Sequence, residues 1–270
     1  MEANSPTHAG PACVREFELL AVRVEPYPHV VCESFLEPEH YRELCATFPV
    51  CPPGIGPTGF SLYWGEDGYQ RLLDEQPAWR ALHDTFHSQA FIEWGARQFA
   101  EVWRREGCTI DPEAARYVPH REDRSDKERT SLGRVTGGSH ELWVRMDIHQ
   151  GHVGYSLREH VDHARRLVSM LIYLCDHDQN RMSGGELLLH DLGPQRREPT
   201  RIAPRHNLMV AFPCSKDSLH SVAKLKSATA PRNYVHVFIS SSADVWPRHP
   251  APPLWRRALS SIEHRLAELR

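Results

Sequence analysis

Between Glu141 and Ser240 the chain carries short apolar runs, ELWVRMDIH, LVSMLIYLC, ELLLH, NLMVAF and YVHVFIS, separated by turns rich in Gly, Pro, Asn and Asp. Runs of this kind, rich in β-branched and aromatic residues, predict the strands of an antiparallel sandwich or barrel. The region before them has a different period. From Asp74 to Glu106 the apolar residues Trp79, Leu82, Phe86, Phe91, Ile92, Phe99, Val102 and Trp103 fall at helical spacing. That predicts two or three amphipathic helices covering one side of a core, with the aromatic side chains as packing rather than ligand contacts. Further upstream, Pro28 to Val31 predicts a short strand. Pro38 then opens a helix running through Leu44, because proline suits a first helical turn.

The organisation that follows is a polar tail over residues 1–22, one domain over 23–245 and a final helix over 246–270. Within the domain, 23–112 is mostly helical support and 113–245 is the β core. CPPGIGPTG (51–59) is turn chemistry. The run PHREDRSDKERTSLGRVTGGSH (119–140) is charged and without periodicity, which predicts a solvated loop. A lid over a site mouth is the sharper reading of it.

Composition narrows the class. The chain has 270 residues, 40% apolar and 25% charged, enough for a sizeable core. A net charge of −3 and a pI near 6.6 give no pull towards nucleic acid or an anionic membrane. No apolar stretch approaches the roughly 18–20 residues of a membrane span, and the N-terminus lacks the pattern of a secretory signal. Seven cysteines without a C-x-x-C predict reduced thiols and a cytoplasmic setting. The 18 histidines are the one oddity, and their number alone argues for no metal.

Candidate chemistry begins at His160-Val161-Asp162. On an extended strand, residues two apart point to the same face, so an imidazole and a carboxylate would converge. One more histidine from a distant strand would complete a facial triad. Such a triad leaves metal positions open and suits non-haem Fe(II). His190, His206, His220 and His236 are the choices for that third ligand. His220 is the best of them, because it follows an apolar strand and a polar turn, and Arg232 opens the next strand downstream. A guanidinium there would clamp the far carboxylate of a dicarboxylate that chelates the metal.

In order along the chain stand HVDH (160–163), LIYL (171–174), SGGELLLHD (183–191), NLMVAFP (207–213), SLHSV (218–222) and APRNY (230–234). Together with YPHVVCESFLEPEHYRELCATFP (27–49), this series resembles the prolyl-hydroxylase-like branch of the 2-oxoglutarate/Fe(II) dioxygenases. The resemblance implies an α+β chain with a mainly β core, a double-stranded β-helix (jelly-roll) with N-terminal supporting helices. It implies Fe(II) held by His160, Asp162 and His220, and Arg232 paired with the distal carboxylate of 2-oxoglutarate. It also implies Tyr173 on that carboxylate, O2 as oxidant and ascorbate as a candidate reductant. Gly184 and Gly185 match a family hairpin turn. A carboxylate at Asp162, where halogenating relatives carry a small residue, favours hydroxylation.

The function expected is hydroxylation of an unactivated C–H bond of a small metabolite, an amino acid, sugar or biosynthetic intermediate, with 2-oxoglutarate converted to succinate and CO2. Protein side-chain hydroxylation, as of prolyl residues, is the alternative. A non-enzymatic cupin-like metal-binding barrel is disfavoured, since it would show His-x-His with Glu. Neither nucleic acid nor membrane is an expected partner. Tyr155, Ser156 and Arg158 are open candidates for further cosubstrate contacts. His149, His152, His163 and His190 could line the pocket, and Arg145 either binds an anionic substrate or is paired at the surface. His29 and His40 are read as structural.

Overall fold

The computed structural model describes Val14 and residues 17–50, 59–119, 140–193 and 197–247. The expectations for the N-terminal tail, the 51–59 turn, the 119–140 loop and the final helix fall largely outside the described residues. In chain order the elements are β1 (Val30–Cys32), α1 (Pro38–Ala46), β2 (Phe60–Leu62), α2 (Asp67–Glu75), α3 (Pro77–Phe86), α4 (Gln89–Gln98) and α5 (Ala100–Arg105). They continue with β3 (Arg116–Tyr117), β4 (Glu141–Gly151), β5 (Leu157–His160), β6 (Arg166–Tyr173) and β7 (Leu187–Leu189). Last come β8 (Thr200–Ile202), β9 (Met209–Pro213), β10 (His220–Val222) and β11 (Arg232–Ser241). No helix among the described residues is long and apolar enough to cross a membrane.

Between Asp74 and Glu106 stand three helices, α3, α4 and α5, in keeping with the two or three that the periodicity predicts, and α2 precedes them. α2 starts at Asp67 and stops at Gln76, whose extended backbone (φ −122°, ψ 99°) is what a residue before proline adopts. Pro77 then sits in the first turn of α3. Ser88 caps α4 by accepting a hydrogen bond from the Phe91 N–H. Each break is local chemistry that apolar spacing alone does not reveal.

The strands from β4 onward wind between two sheets, alternating except at the β7–β8 pair within the smaller one, the double-stranded β-helix expected. The larger sheet has the order β1-β9-β6-β11-β4-β2, with β3 parallel to β4, and the smaller the order β5-β10-β7-β8. Period-two alternation divides the larger sheet's faces. Val235, Val237 and Ile239 of β11, with Val144, Met146 and Ile148 of β4, pack under the helices in one apolar cluster with Trp79, Phe86, Phe91 and Trp103. α4 approaches closely enough that a methyl group on Gly95 would collide with Ile239. The opposite face looks towards the smaller sheet, where Leu171, Tyr173, Leu187, Leu189, Val210, Phe212 and Tyr234 form a second cluster. The polar residues of the site stand at the open end of that second layer.

Candidate metal centre

His160 is the last residue of β5 and His220 the first of β10, and the two are register partners across that antiparallel pair. Pairing places their rings 4.2 Å apart between centroids. Asp162 joins them from two residues past the end of β5. One ligand atom from each of the three lies within 4.8 Å of the others.

The two imidazoles are oriented by the same device. His160 Nδ1 is 2.8 Å from the Arg158 carbonyl, and His220 Nδ1 is 2.9 Å from the Ser218 carbonyl, each two residues back. A carbonyl can only accept, so the proton sits on Nδ1 and Nε2 is left with its lone pair. Burial holds His220 below the usual histidine range, which keeps it neutral and able to ligate. Burial by itself would push Asp162 up. Arg166 foremost, with the neighbouring histidines, instead holds its carboxyl well below the ordinary carboxylate range. One carboxylate and two imidazoles presenting Nε2 are the donor set that divalent iron takes while keeping positions open.

Arg232 opens β11, fully buried, and no described carboxylate pairs with it. Its Nε donates to the Gly185 carbonyl at 2.7 Å and its Nη2 to the Tyr173 hydroxyl at 3.2 Å, while Nη1 is buried with no hydrogen-bond partner. The rings of Tyr234, Tyr173 and Tyr155 surround the guanidinium, their centroids 4.5, 5.0 and 5.8 Å away. Gly185 and Gly184 hold φ of 85° and 82°, and a Cβ on Gly184 would run into the Lys224 carbonyl, so glycine is required at this turn. A buried cation with an unsatisfied donor is costly unless an anion completes it. A carboxylate fits that place.

A cavity of about 500 Å³ opens in front of the triad. Arg145, Asp147 and His149 of β4 line it, with His236 and Phe238 of β11, Ser61 and Tyr63 around β2, and Arg166. Arg145 is neither a free anion hook nor a surface residue. Its Nε donates to both oxygens of Asp147, at 3.0 and 2.8 Å, inside the wall. His149 shares a hydrogen bond with the Ser61 hydroxyl at 2.8 Å, and His236 one with the Ser169 hydroxyl at 2.8 Å. Burial pushes His149 down to about 3 and His236 well below its ordinary value, so both are neutral polar groups.

Of the other sequence candidates, Tyr155 also lines the cavity, its hydroxyl 2.9 Å from that of Tyr234. His152 lines a separate recess, His190 bonds the Ser221 hydroxyl at 2.7 Å, and His206 packs on Tyr41. His29, buried and bonded to the Tyr27 carbonyl, is structural as expected. Sequence reasoning missed Arg166, which donates to Asp162, and Cys214, whose thiol lies 3.5 Å from the same carboxylate. It also missed Tyr27, whose buried hydroxyl has no hydrogen-bond partner. The order Asp-x-x-x-Arg was available as a signal for Arg166, but nothing in it separates Arg166 from the adjacent Arg165.

A family model described as the 2OG-Fe(II) oxygenase superfamily matches residues 145–240, the span that holds the triad, Tyr173 and Arg232. The match bears out the resemblance read from the motifs and the expectation of an enzyme of that class. No curated protein matches the chain. Among solved structures, the chain is similar to a prolyl 4-hydroxylase from Phytophthora capsici at 15% identity, over 88% of this chain and 68% of that one, with a TM-score of 0.47. It is similar to EvdO2 from Micromonospora carbonacea var. aurantiaca, solved with 2-oxoglutarate, at 14% identity over 82% and 90% of the two chains (TM-score 0.43). A Pseudomonas putida prolyl-4-hydroxylase is 14% identical over 80% and 94% (TM-score 0.41).

Proposed function

We propose that this oxygenase holds Fe(II) on His160, Asp162 and His220, binds 2-oxoglutarate against Arg232, and hydroxylates an unactivated C–H bond of a small polar metabolite. The observation that carries the reading is the buried Arg232 Nη1 without a partner, one layer behind the cavity that the triad faces. When bound, Fe(II) and 2-oxoglutarate supply the oxidising power, one oxygen atom of O2 passing to substrate and the other to the succinate formed with CO2.

The chain's own residues do the rest. The Arg158 and Ser218 carbonyls fix the imidazoles with Nε2 presented. Arg232 and Tyr173 take the distal carboxylate of 2-oxoglutarate in a pocket walled by aromatic rings, where a charge-assisted hydrogen bond is strong. Phe212, packed 4.8 Å from the His220 ring, keeps water from the inner side of the ligand set.

Cavity size and lining support the small-molecule assignment. About 500 Å³ lies within the range of small-ligand pockets. Arg145, Asp147, His149, His236 and Ser61 offer donors and acceptors suited to an amino acid, a sugar or a polar intermediate. The cytoplasmic setting is part of the same proposal, and Cys45, Cys108, Cys175 and Cys214, none of them in a disulfide, support it.

Purified without oxygen and given Fe(II) and 2-oxoglutarate, the wild-type protein should show the weak metal-to-ligand visible band, and His160→Ala should lose it. A wild type without the band, or a His160→Ala protein that keeps it, overturns the assignment. Succinate release triggered by amino acids or glycosides, and not by prolyl peptides, is the expected substrate profile. The reverse profile would establish the side-chain hydroxylase instead.

A further inference from the structure

We infer that Arg166 is a positioning residue that keeps Asp162 a one-oxygen metal ligand, and so preserves the open position the reaction needs. The inference rests on the function proposed above. Arg166 Nη1 donates to Asp162 Oδ1 at 2.6 Å, a charge-assisted bond between side chains that are only 18% and 3% exposed. The guanidinium lies 3.8 Å from the centroid of the Phe238 ring, which holds its plane. The Arg166 backbone is pinned as well, its carbonyl accepting from Trp246 Nε1 at 2.6 Å and its N–H donating to the His163 carbonyl at 2.8 Å. β6 and β11 shift register between Ile239 and Ser240, beside the Arg166 pairing.

The two carboxylate oxygens of Asp162 therefore have different tasks. Oδ1 is occupied by the guanidinium. Oδ2 is turned to His220, 4.0 Å from its Nε2, and carries only the weak thiol contact of Cys214 at 3.5 Å. A carboxylate with both oxygens free can chelate a divalent ion and fill a position that cosubstrate or oxygen requires. A cation fixed on one oxygen removes that option, and outer partners of metal ligands commonly tune a site in this way.

The test compares Arg166→Leu and Arg166→Lys with the wild type, at matched bound iron and with the thermal unfolding of each apo protein as a control for folding. Without oxygen, 2-oxoglutarate is titrated into the Fe(II) protein by its visible band, and nitric oxide is then added as an oxygen surrogate read by electron paramagnetic resonance. Arg166→Leu should weaken 2-oxoglutarate binding and the nitric oxide signal about tenfold, and Arg166→Lys, which can still donate to Oδ1, by about threefold or less. A Leu variant within about twofold of wild type in both readouts overturns the role of Arg166 alone, as do Leu and Lys variants that are equally impaired. A wild type without the band overturns the reading of the whole site and this inference with it. Should the Leu variant fail to fold, Arg166→Gln, a neutral donor, takes its place with the same criteria.

Discussion

Alternate residues of one strand, β11, face two different environments. Val235, Val237 and Ile239 point under the helices, each fully buried in an apolar cluster. Tyr234, His236 and Phe238 point the other way, into the cavity in front of the candidate metal centre, and the Arg232 guanidinium lies against the Tyr234 ring behind it. The backbone ladder is common to both, so the difference lies in the side chains alone. Burying an aliphatic side chain contributes roughly 1.5–3 kcal/mol, whereas burying a charge without a full set of partners costs free energy. The outer face thus stabilises the sheet on which the inner face holds an incompletely satisfied arginine. Stability and function are divided by strand face rather than by region of the chain.

Arg232→Leu gives the sharpest break. Removing one side of a buried ion pair typically costs 3–5 kcal/mol, so 2-oxoglutarate binding should weaken about a hundredfold or more. The apo protein should unfold at the same temperature as wild type or higher, because an apolar side chain has replaced a partly unsatisfied buried cation. Titration of the visible band and calorimetry of the apo protein check the two halves. A clear loss of apo stability would mean that the inner face supports the fold after all.

Ile239→Ala is the converse change. It removes a side chain that meets Gly95 of α4 and leaves a void between helix and sheet. Such truncations cost about 2–5 kcal/mol. Urea unfolding should record that loss, while 2-oxoglutarate half-saturation of the folded protein should stay at the wild-type value. If binding fell in step with stability, the two faces would be coupled and the division described above would be wrong.

Legibility in the sequence follows the same division. β4, β6, β9 and β11 showed as apolar runs, because their outward faces must be hydrophobic and several inward residues are too. β5 did not: three of the four residues of Leu-Arg-Glu-His are exposed and they show no alternation, and it is a strand because β10 pairs with it. β2, β3, β8 and β10 are shorter still and owe their form to the strands they pair with. The ligand candidates were legible because few residue types can do that chemistry, and spacing narrowed the choice. Arg166 was not, since Arg165 beside it is the same residue type and nothing local marks one over the other. Only the fold sends Arg165 towards Asp244, at 3.6 Å, and Arg166 onto Asp162.

The smallest expected effect separates the faces by pH. His149 stands on the inner wall, bonded to Ser61 and stacked on Tyr234, and burial foremost, then Arg145, Arg232 and Arg166, push it from 6.5 to about 3. Between those values the unfolded chain binds a proton at this residue that the folded protein does not. Stability contributed here is therefore full above pH 6.5 and falls as pH is lowered towards 3. His149→Asn should shift the whole stability curve by a constant and flatten its acid limb by as much as about 1.4 kcal/mol per pH unit. Ile239→Ala, which changes no titratable group, should lower the curve and leave that slope as it was. Urea unfolding at a series of pH values from neutral to mildly acidic measures both. An unchanged slope in His149→Asn would mean that this histidine takes up its proton in the folded state, and that the inner wall admits water where the outer face does not.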